Sequence, residues 1–433
     1  MSEGGRLVPK LRFPEFRAMK VWGIAGLGKL ADFVNEKVPL ERVALENYVS
    51  TENILPDYGG AARASRMPTT GSVTRFLPDD TLVSNIRPYL KKVWVADKEG
   101  GASNDVIVIR AKEKLLPQYF AFLLKNDAFI DYVMTGAKGV KMPRGDIGAM
   151  KDYPARYPTK PEQQKIADCL SSLDELITAQ VRKVDALMTH KKGLMQQLFP
   201  CESESQPRLR FPEFSAAEDW KKSSIGGLKP FVTSGSRAWS AFYADQGDLF
   251  VRMTNLWRNS IHLDLTDSKF VQLPAGVSEG VRTQLKEHDL LISITADVGI
   301  IGYVDEAVPS PAYINQHISL VRFNLADLCV KYAAYFLASE KSQRLFMAST
   351  DSGTKAGMSL IGIQMIEIML PSFSEQQRIA DCLTAVDSHI TATTKALDAL
   401  KTHKKGLMQQ LFPTPTRPPP HEQGTDRHHA EPV

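Results

Sequence analysis

The stretch Gly23-Ile24-Ala25-Gly26-Leu27-Gly28-Lys29 comes close to a phosphate-binding loop, in which backbone N–H groups would cradle phosphates and the lysine would reach them. Such a loop needs a Ser or Thr next to hold Mg2+, and Leu30 stands there instead. The matching place in the second half reads Ile225-Gly226-Gly227-Leu228-Lys229-Pro230-Phe231, so a turn leading into a strand accounts for the glycines. Methyl transfer to a base would call for an Asn/Asp-Pro-Pro-Tyr loop or a Pro-Cys nucleophile. The adjacent prolines are Pro418 to Pro420 in the tail, and Pro200-Cys201 ends a helix. No paired-carboxylate and lysine cluster of the nuclease type is evident. The first domain holds no histidine, and His190 and His403 are equivalent residues near two helix ends, so a metal or Ser-His-Asp centre common to both halves is excluded. His262, His288 and His317 could form one in the second half alone.

What remains is binding. Arg75, Asn85, Arg87, Lys91 and Lys92 cluster around one predicted strand and its approach, and Lys138, Lys141 and Arg144 sit in a glycine-rich loop too polar for a core. In the second half Ser234, Ser236 and Arg237 occupy one loop and Arg252, Asn255 and Arg258 another. Ser352, Thr354 and Lys355 lie in Asp351 to Ser359, the counterpart of the Lys138 loop. These side-chain types pair with base edges or phosphates, and singly each is an ordinary solvated surface group. Recurrence of the loop in both halves favours the binding role.

The elements that must position them are duplicated. Glu162 to Pro200 recurs as Glu375 to Pro413 at a constant offset of 213, with 27 of 39 aligned positions identical. Apolar residues alternate at steps of four and three: Ile166, Leu170, Leu173, Ile177, Val184, Leu187, Leu194 and Leu198, then Ile379, Leu383, Val386, Ile390, Leu397, Leu400, Leu407 and Leu411. Polar residues fill the same two seam slots in each copy, Gln180 and Lys191, Thr393 and Lys404. A 3.5-residue repeat marks a coiled-coil seam, and polar seam residues tend to fix register. Each segment predicts a helix of about 38 residues, roughly 57 Å long. The domain between them has a diameter near 40 Å. Returning the chain locally is therefore easier than carrying it back along the whole helix, which favours antiparallel pairing.

A second mark opens each half: Leu11-Arg12-Phe13-Pro14-Glu15-Phe16 recurs at Leu209 to Phe214, with Trp22 answered by Trp220 at an offset of 198. The expected class is α+β: an α/β domain at 1–158, a long helix at 159–200, a second α/β domain at 201–372, a second long helix at 373–413 and a disordered tail at 414–433, with an internal pseudo-two-fold repeat. Thr81 to Ala96 and Asp105 to Ala111 read as strands, and Leu115 to Met134 as an amphipathic helix. The matching pieces are His288 to Val304, Asn315 to Phe323 and a helical stretch from about Cys329 to Met347. The helices stayed alike while the domains diverged, as a common frame with two different heads would.

Net charge is +4, which permits a polyanion partner without demanding one. Cys169, Cys201, Cys329 and Cys382 include no CxxC pair and read as packing residues in a reducing compartment. No signal peptide and no run approaching 18 apolar residues is visible, so a cytoplasmic protein without a membrane partner is expected.

The Leu-Arg-Phe-Pro-Glu-Phe…Trp openings, the Glu-Gln-Gln helix starts and the repeated His-Lys-Lys-Gly-Leu-Met-Gln-Gln-Leu-Phe-Pro ends resemble the specificity subunit of type I restriction-modification enzymes, over both halves of the chain. The resemblance implies two target recognition domains joined by antiparallel helices, each reading one part of a split asymmetric sequence in double-stranded DNA. It further implies a non-catalytic chain whose frame carries two modification subunits, with restriction subunits in the full complex. S-adenosylmethionine, ATP and Mg are then expected on those partners and no cofactor on this chain. Half-site spacing would be set by the frame, so a four-residue insertion before His190 should change the spacer and not the bases. The rival class is a structural coiled-coil adaptor binding proteins through both heads, and steep salt dependence of DNA binding would speak against it.

Overall fold

The computed structural model describes residues 8–201, 204–237, 239–274, 276, 279–324, 326, 328–348 and 357–413. The expected tail at 414–433 and the candidate residues Ser352, Thr354 and Lys355 lie outside the described residues. The chain divides into two units, Met1–Ala179 with Leu397–Val433 and Gln180–Ala396, so the division falls inside both long helices.

In the first unit Gly23–Gly26 pairs antiparallel with Pro154–Tyr157. One four-stranded sheet has the order Ala31–Phe33, Val106–Ala111, Thr81–Ser84, Val93–Val95, all antiparallel. A second has the order Lys37–Pro39, Ser72–Phe76, Gly100–Ala102, Tyr48–Val49, its last pair parallel. The expected strand over Thr81 to Ala96 is two strands, because Arg87 and Lys91 take positive φ (51° and 54°) on either side of a 3-10 turn at Pro88–Leu90. The expected helix over Leu115 to Met134 is likewise two, Pro117–Leu124 and Asp127–Thr135. Asn126 breaks it by accepting the Ala128 N–H with its side chain as an N-cap.

The second unit repeats this plan. Lys221–Ser224 pairs with Glu367–Leu370. One sheet runs Phe231–Ser234, Ile318–Arg322, Leu290–Ser293, Ile301–Tyr303, and the other Tyr243–Ala244, Phe270–Val271, Asp248–Val251, Ala312–Ile314, again with a parallel last pair. The helical stretch after Cys329 is Val330–Ala338 followed by Glu340–Ala348.

The long helices are Lys160–Leu198 and Phe373–Leu411, 39 residues each. In the first unit Ile166 and Leu170, from the start of one, share a core with Leu411 and Phe412, from the end of the other, and Asp174 meets Lys404 at 2.5 Å. In the second unit Leu198 and Phe199 share a core with Ile379 and Leu383, Lys191 meets Asp387 at 2.6 Å, and Gln180 Nε2 donates to the Thr393 carbonyl at 3.2 Å. Within each unit the segments therefore run antiparallel. Ile166, Leu170, Leu198, Ile379, Leu383 and Leu411 are buried to 0–1 % exposure because the domain cores close over them, whereas Leu173, Ile177, Leu194, Val386, Ile390 and Leu407 are half-buried. Both lysine slots of the seam are filled by ion pairs, as a register device requires.

The duplicated marks meet each other in space. Arg12 donates Nε and Nη2 to the two oxygens of Glu162, both at 2.7 Å, and the Trp22 indole N–H donates to the same carboxylate at 3.2 Å. Arg210, Glu375 and Trp220 repeat this at 2.8, 2.8 and 3.3 Å. The next residue is a second clasp. Gln163 accepts the Leu116 N–H at 2.8 Å and donates to the Lys114 and Pro158 carbonyls, so it satisfies a free N–H at the start of Pro117–Leu124. Gln376 does the same for the Cys329 N–H. Tyr119 and Tyr332, 213 apart, donate to the carbonyls of Arg156 and Met369, also 213 apart. Phe412 packs on Tyr119 and Phe199 on Tyr332, with ring centroids 5.4 and 5.8 Å apart.

Candidate nucleic-acid interface

In the first unit a strand end and a hairpin are laced together. Lys138 and Arg144 exchange two backbone hydrogen bonds of 2.9 Å, closing a short tip from Gly139 (φ 94°) to Pro143. The Arg87 N–H donates to the Pro143 carbonyl at 2.8 Å and the Gly145 N–H to the Asn85 carbonyl at 3.1 Å. Arg87, Lys138, Lys141 and Arg144 are thereby carried on one pair of exposed loops. Lys138 pairs with Asp146 and Arg144 with Asp105, each at 2.9 Å, whereas Arg87 and Lys141 make no ion pair among the described residues. The Ala149 backbone N–H, and after it Lys138, hold the Asp146 carboxyl below its usual range. Asp146 also caps the helix Ile147–Asp152, so the loop is anchored at its base.

Gly145 makes the lacing possible. A Cβ there would overlap Met150 Cε and lie 2.9 Å from Val133 Cγ1. Gly145→Ala should lower stability by about 1–3 kcal/mol, the usual range for overpacking, read as a reduced denaturant midpoint, and should displace the hairpin. A variant as stable as wild type would show that the loop bases tolerate separation.

Arg75, Lys91 and Lys92 have partners outside the laced loops. Arg75 lies on Ser72–Phe76 between Glu36 (2.8 Å) and Glu99 (2.7 Å), whose hydrogen bonds raise its pKa and leave the spot acidic in sum. Lys91 pairs with Asp127 at 2.7 Å and Lys92 donates to the Thr51 carbonyl at 2.7 Å. Asn85 Oδ1 is buried without a partner at the base of the hairpin.

In the second unit Ser234 ends its strand, Ser236 accepts from Arg282 at 3.1 Å, and Arg237 is exposed. Arg252 is tied to Asp267 at 2.9 Å, and Arg258 to Asp297 and to Gln343. Asn255 is not a surface group: it is 1 % exposed, accepts the Arg252 N–H and donates to the Asp264 and Asp267 carbonyls, locking a turn. In the described end of the candidate loop, Gly357 bridges to Thr295 and the Met358 N–H donates to the Ile294 carbonyl. Arg144 and Gly145 return against Ile86 and Asn85 in the same way. The histidines are engaged one by one: His262 with Asp305 (2.7 Å), His288 with the Tyr303 hydroxyl (2.6 Å) and His317 with Thr295 (2.6 Å). The His262 bond holds the Asp305 carboxyl below its usual range.

Gly23–Gly26 is a strand running into a helical turn, Leu27–Leu30, packed on Tyr157 and Lys151. Residue types alone did not single out Tyr89, Val140 and Met142, exposed apolar side chains on the laced loops. The signal was available in the run Lys138-Gly139-Val140-Lys141-Met142, where apolar residues interrupt a loop that has no core to face.

Two α/β heads of one plan, each fastened by the same buried clasp to a shared pair of helices and each presenting its own loops, define a duplicated recognition subunit. Residues 74–185 and 217–402 match the model of the Type I restriction modification DNA specificity domain, and the chain belongs to that family. It is similar to the Type I restriction enzyme MjaVIII specificity subunit of Methanocaldococcus jannaschii, 23% identical over 422 residues that cover 92% of this chain and 95% of the relative. The EcoDI specificity subunit of Escherichia coli is 23% identical over 212 residues, 46% of each chain. The fold is that of the type I restriction-modification S subunit from M. genitalium, with a TM-score of 0.58 and 16% identity over 94% of this chain and all of that one. A chain from a type I R-M system solved for its complex assembly and conformational transition gives 0.54 and 18%, covering 90% and 97%.

Proposed function

We propose that this chain is the non-catalytic recognition subunit of a cytoplasmic type I restriction-modification complex, each head reading one half of a split, asymmetric site in double-stranded DNA. The long helices serve as a docking frame for two modification subunits and as the ruler that sets the unread spacer. S-adenosylmethionine, ATP and Mg belong on the modification and restriction subunits. Among the described residues no helix is long and apolar enough to cross a membrane, which suits this reading. The observation that carries it is the contrast within the duplication: the Arg12–Glu162–Trp22 clasp and its copy hold a common frame, while the candidate loops differ, with Lys138, Lys141 and Arg144 in one and Ser352, Thr354 and Lys355 in the other.

The test is methyl transfer to random-sequence DNA by the full chain alone and with its modification subunit, followed by sequencing of the methylated sites. Activity only in the mixture, at two short motifs with a fixed gap, is expected. Activity of the chain alone would overturn the non-catalytic assignment, and silence in both would favour an adaptor.

The ruler makes its own prediction. Matched seven-residue insertions, between Arg182 and Lys183 and between Lys395 and Ala396, keep the apolar rhythm in phase and lengthen each helix by about 10 Å. The spacer should grow by about three base pairs at 3.4 Å each, with both half-sites unaltered. A change in the bases read would sink the ruler.

A further inference from the structure

We propose that the hairpin tip of the first unit enters the major groove of its half-site and that Val140 reads a thymine there by packing on its C5 methyl group. The inference rests on the reading above that this unit binds DNA, and adds what the tip recognises. Val140 is fully exposed, and Met142 on the same tip and Tyr89 on the loop laced to it are about half exposed. A single exposed apolar residue is ordinary. These three, however, sit on loops carrying Arg87 and Lys141, the basic groups there without an ion pair among the described residues, where phosphate contacts would hold the tip against a duplex. The base of the tip is fixed by the paired Lys138 and Arg144 bonds and by the Arg87 bond to Pro143, so little order remains to be imposed on binding.

The chemistry of the tip selects the groove. Valine can neither donate nor accept a hydrogen bond, so it cannot distinguish the polar groups of base edges. The apolar group on a base edge is the thymine methyl, displayed in the major groove. An apolar wedge in the minor groove would act by unstacking bases instead, and would be indifferent to that methyl.

The experiment uses the full chain assembled with its modification subunit and the bipartite site found by methylation sequencing. Val140→Glu places a carboxylate at the tip and should erase base preference in one half-site only, which identifies the half-site read by the first unit. Replacing each thymine of that half-site by uracil removes only the methyl. One position should then bind about fourfold more weakly, the effect of one buried methyl-sized group. With Val140→Ala, thymine and uracil should bind equally at that position, while preference in the other half-site stays intact and reports a folded complex. Indifference to uracil throughout, a half-site without thymine, unchanged discrimination in Val140→Ala, or unchanged preference in Val140→Glu would each overturn the assignment. If the wild-type complex shows no sequence preference at all, the DNA-reading role itself falls, and the inference with it.

Discussion

Glu162→Ala should destabilise the first unit by about 3–5 kcal/mol, the range for removing one partner of a buried ion pair. Arg12 and Glu162 are 7 % and 1 % exposed, so among the described residues the orphaned guanidinium keeps only the Met19 and Lys20 carbonyls at 3.1 and 3.3 Å. The Trp22 indole N–H, 3.2 Å from the lost carboxylate, is stranded with it. Native-state hydrogen exchange should speed up in the first unit, around Pro117–Leu124 and the start of Lys160–Leu198, while the second unit keeps its protection. Glu375→Ala should do the converse, somewhat more mildly because Arg210 is 14 % exposed and can reach water. The double change Arg12→Met with Glu162→Leu should restore most of the loss, since desolvation no longer opposes burial. If either alanine variant left exchange unchanged, the shared openings and helix starts would need a reason other than this clasp.

The clasp also shows where legibility in the sequence ended. The long helices were visible because their information is local: apolar residues at steps of four and three fix a face without reference to anything else. The openings and the Glu-Gln-Gln starts were visible as repeats, but their meaning was not, since Arg12 and Glu162 lie 150 residues apart and only the fold brings them together. Element edges inside the heads were lost to single residues. Pro88 between two residues of positive φ split one strand, and the Asn126 cap split one helix.

Charge in the sequence does not say whether a side chain is free. Arg75, Lys91, Arg252 and Arg258 have the right chemistry for phosphate, yet each faces a carboxylate chosen by the fold. Asn255 has the right chemistry for adenine, and its amide closes a turn. Residue type gives a side chain's capacity, whereas availability depends on neighbours that are distant in sequence. The laced loops are partly legible because Lys138, Lys141 and Arg144 stand in a glycine-rich run too polar for a core, whereas Arg87 reads only as part of the cluster around a predicted strand. Val140 and Met142 were passed over because an apolar residue is assigned to a core by default.

The same distinction separates the two lysine slots of the helical seam. Asp387→Ala should cost the second unit about 3–5 kcal/mol, whereas Asp174→Ala, its equivalent 213 residues earlier, should cost the first unit about 0–1 kcal/mol. Lys191 and Asp387 are each 9 % exposed, and the carboxylate also accepts the Tyr335 hydroxyl at 2.7 Å. Removing it leaves the ammonium with the Asn259 carbonyl at 3.1 Å and the face of the Tyr335 ring. At the other slot Lys404 is 16 % and Asp174 40 % exposed, and Phe122 replaces the tyrosine, so the carboxylate stays partly in water without a tyrosine hydroxyl to accept, and Lys125 lies near enough to feel both charges. Denaturant unfolding of the two single variants checks the contrast. Equal losses would mean that burial does not set the strength of these pairs. Lys191→Met with Asp387→Leu should recover the stability lost in Asp387→Ala, because apolar replacement removes the desolvation penalty along with the attraction. It should also loosen register, since a seam uniformly apolar at this slot no longer distinguishes one heptad from the next. Recovered stability with a narrowly defined spacer would show that the heads, rather than the seam lysine, hold the helices in register.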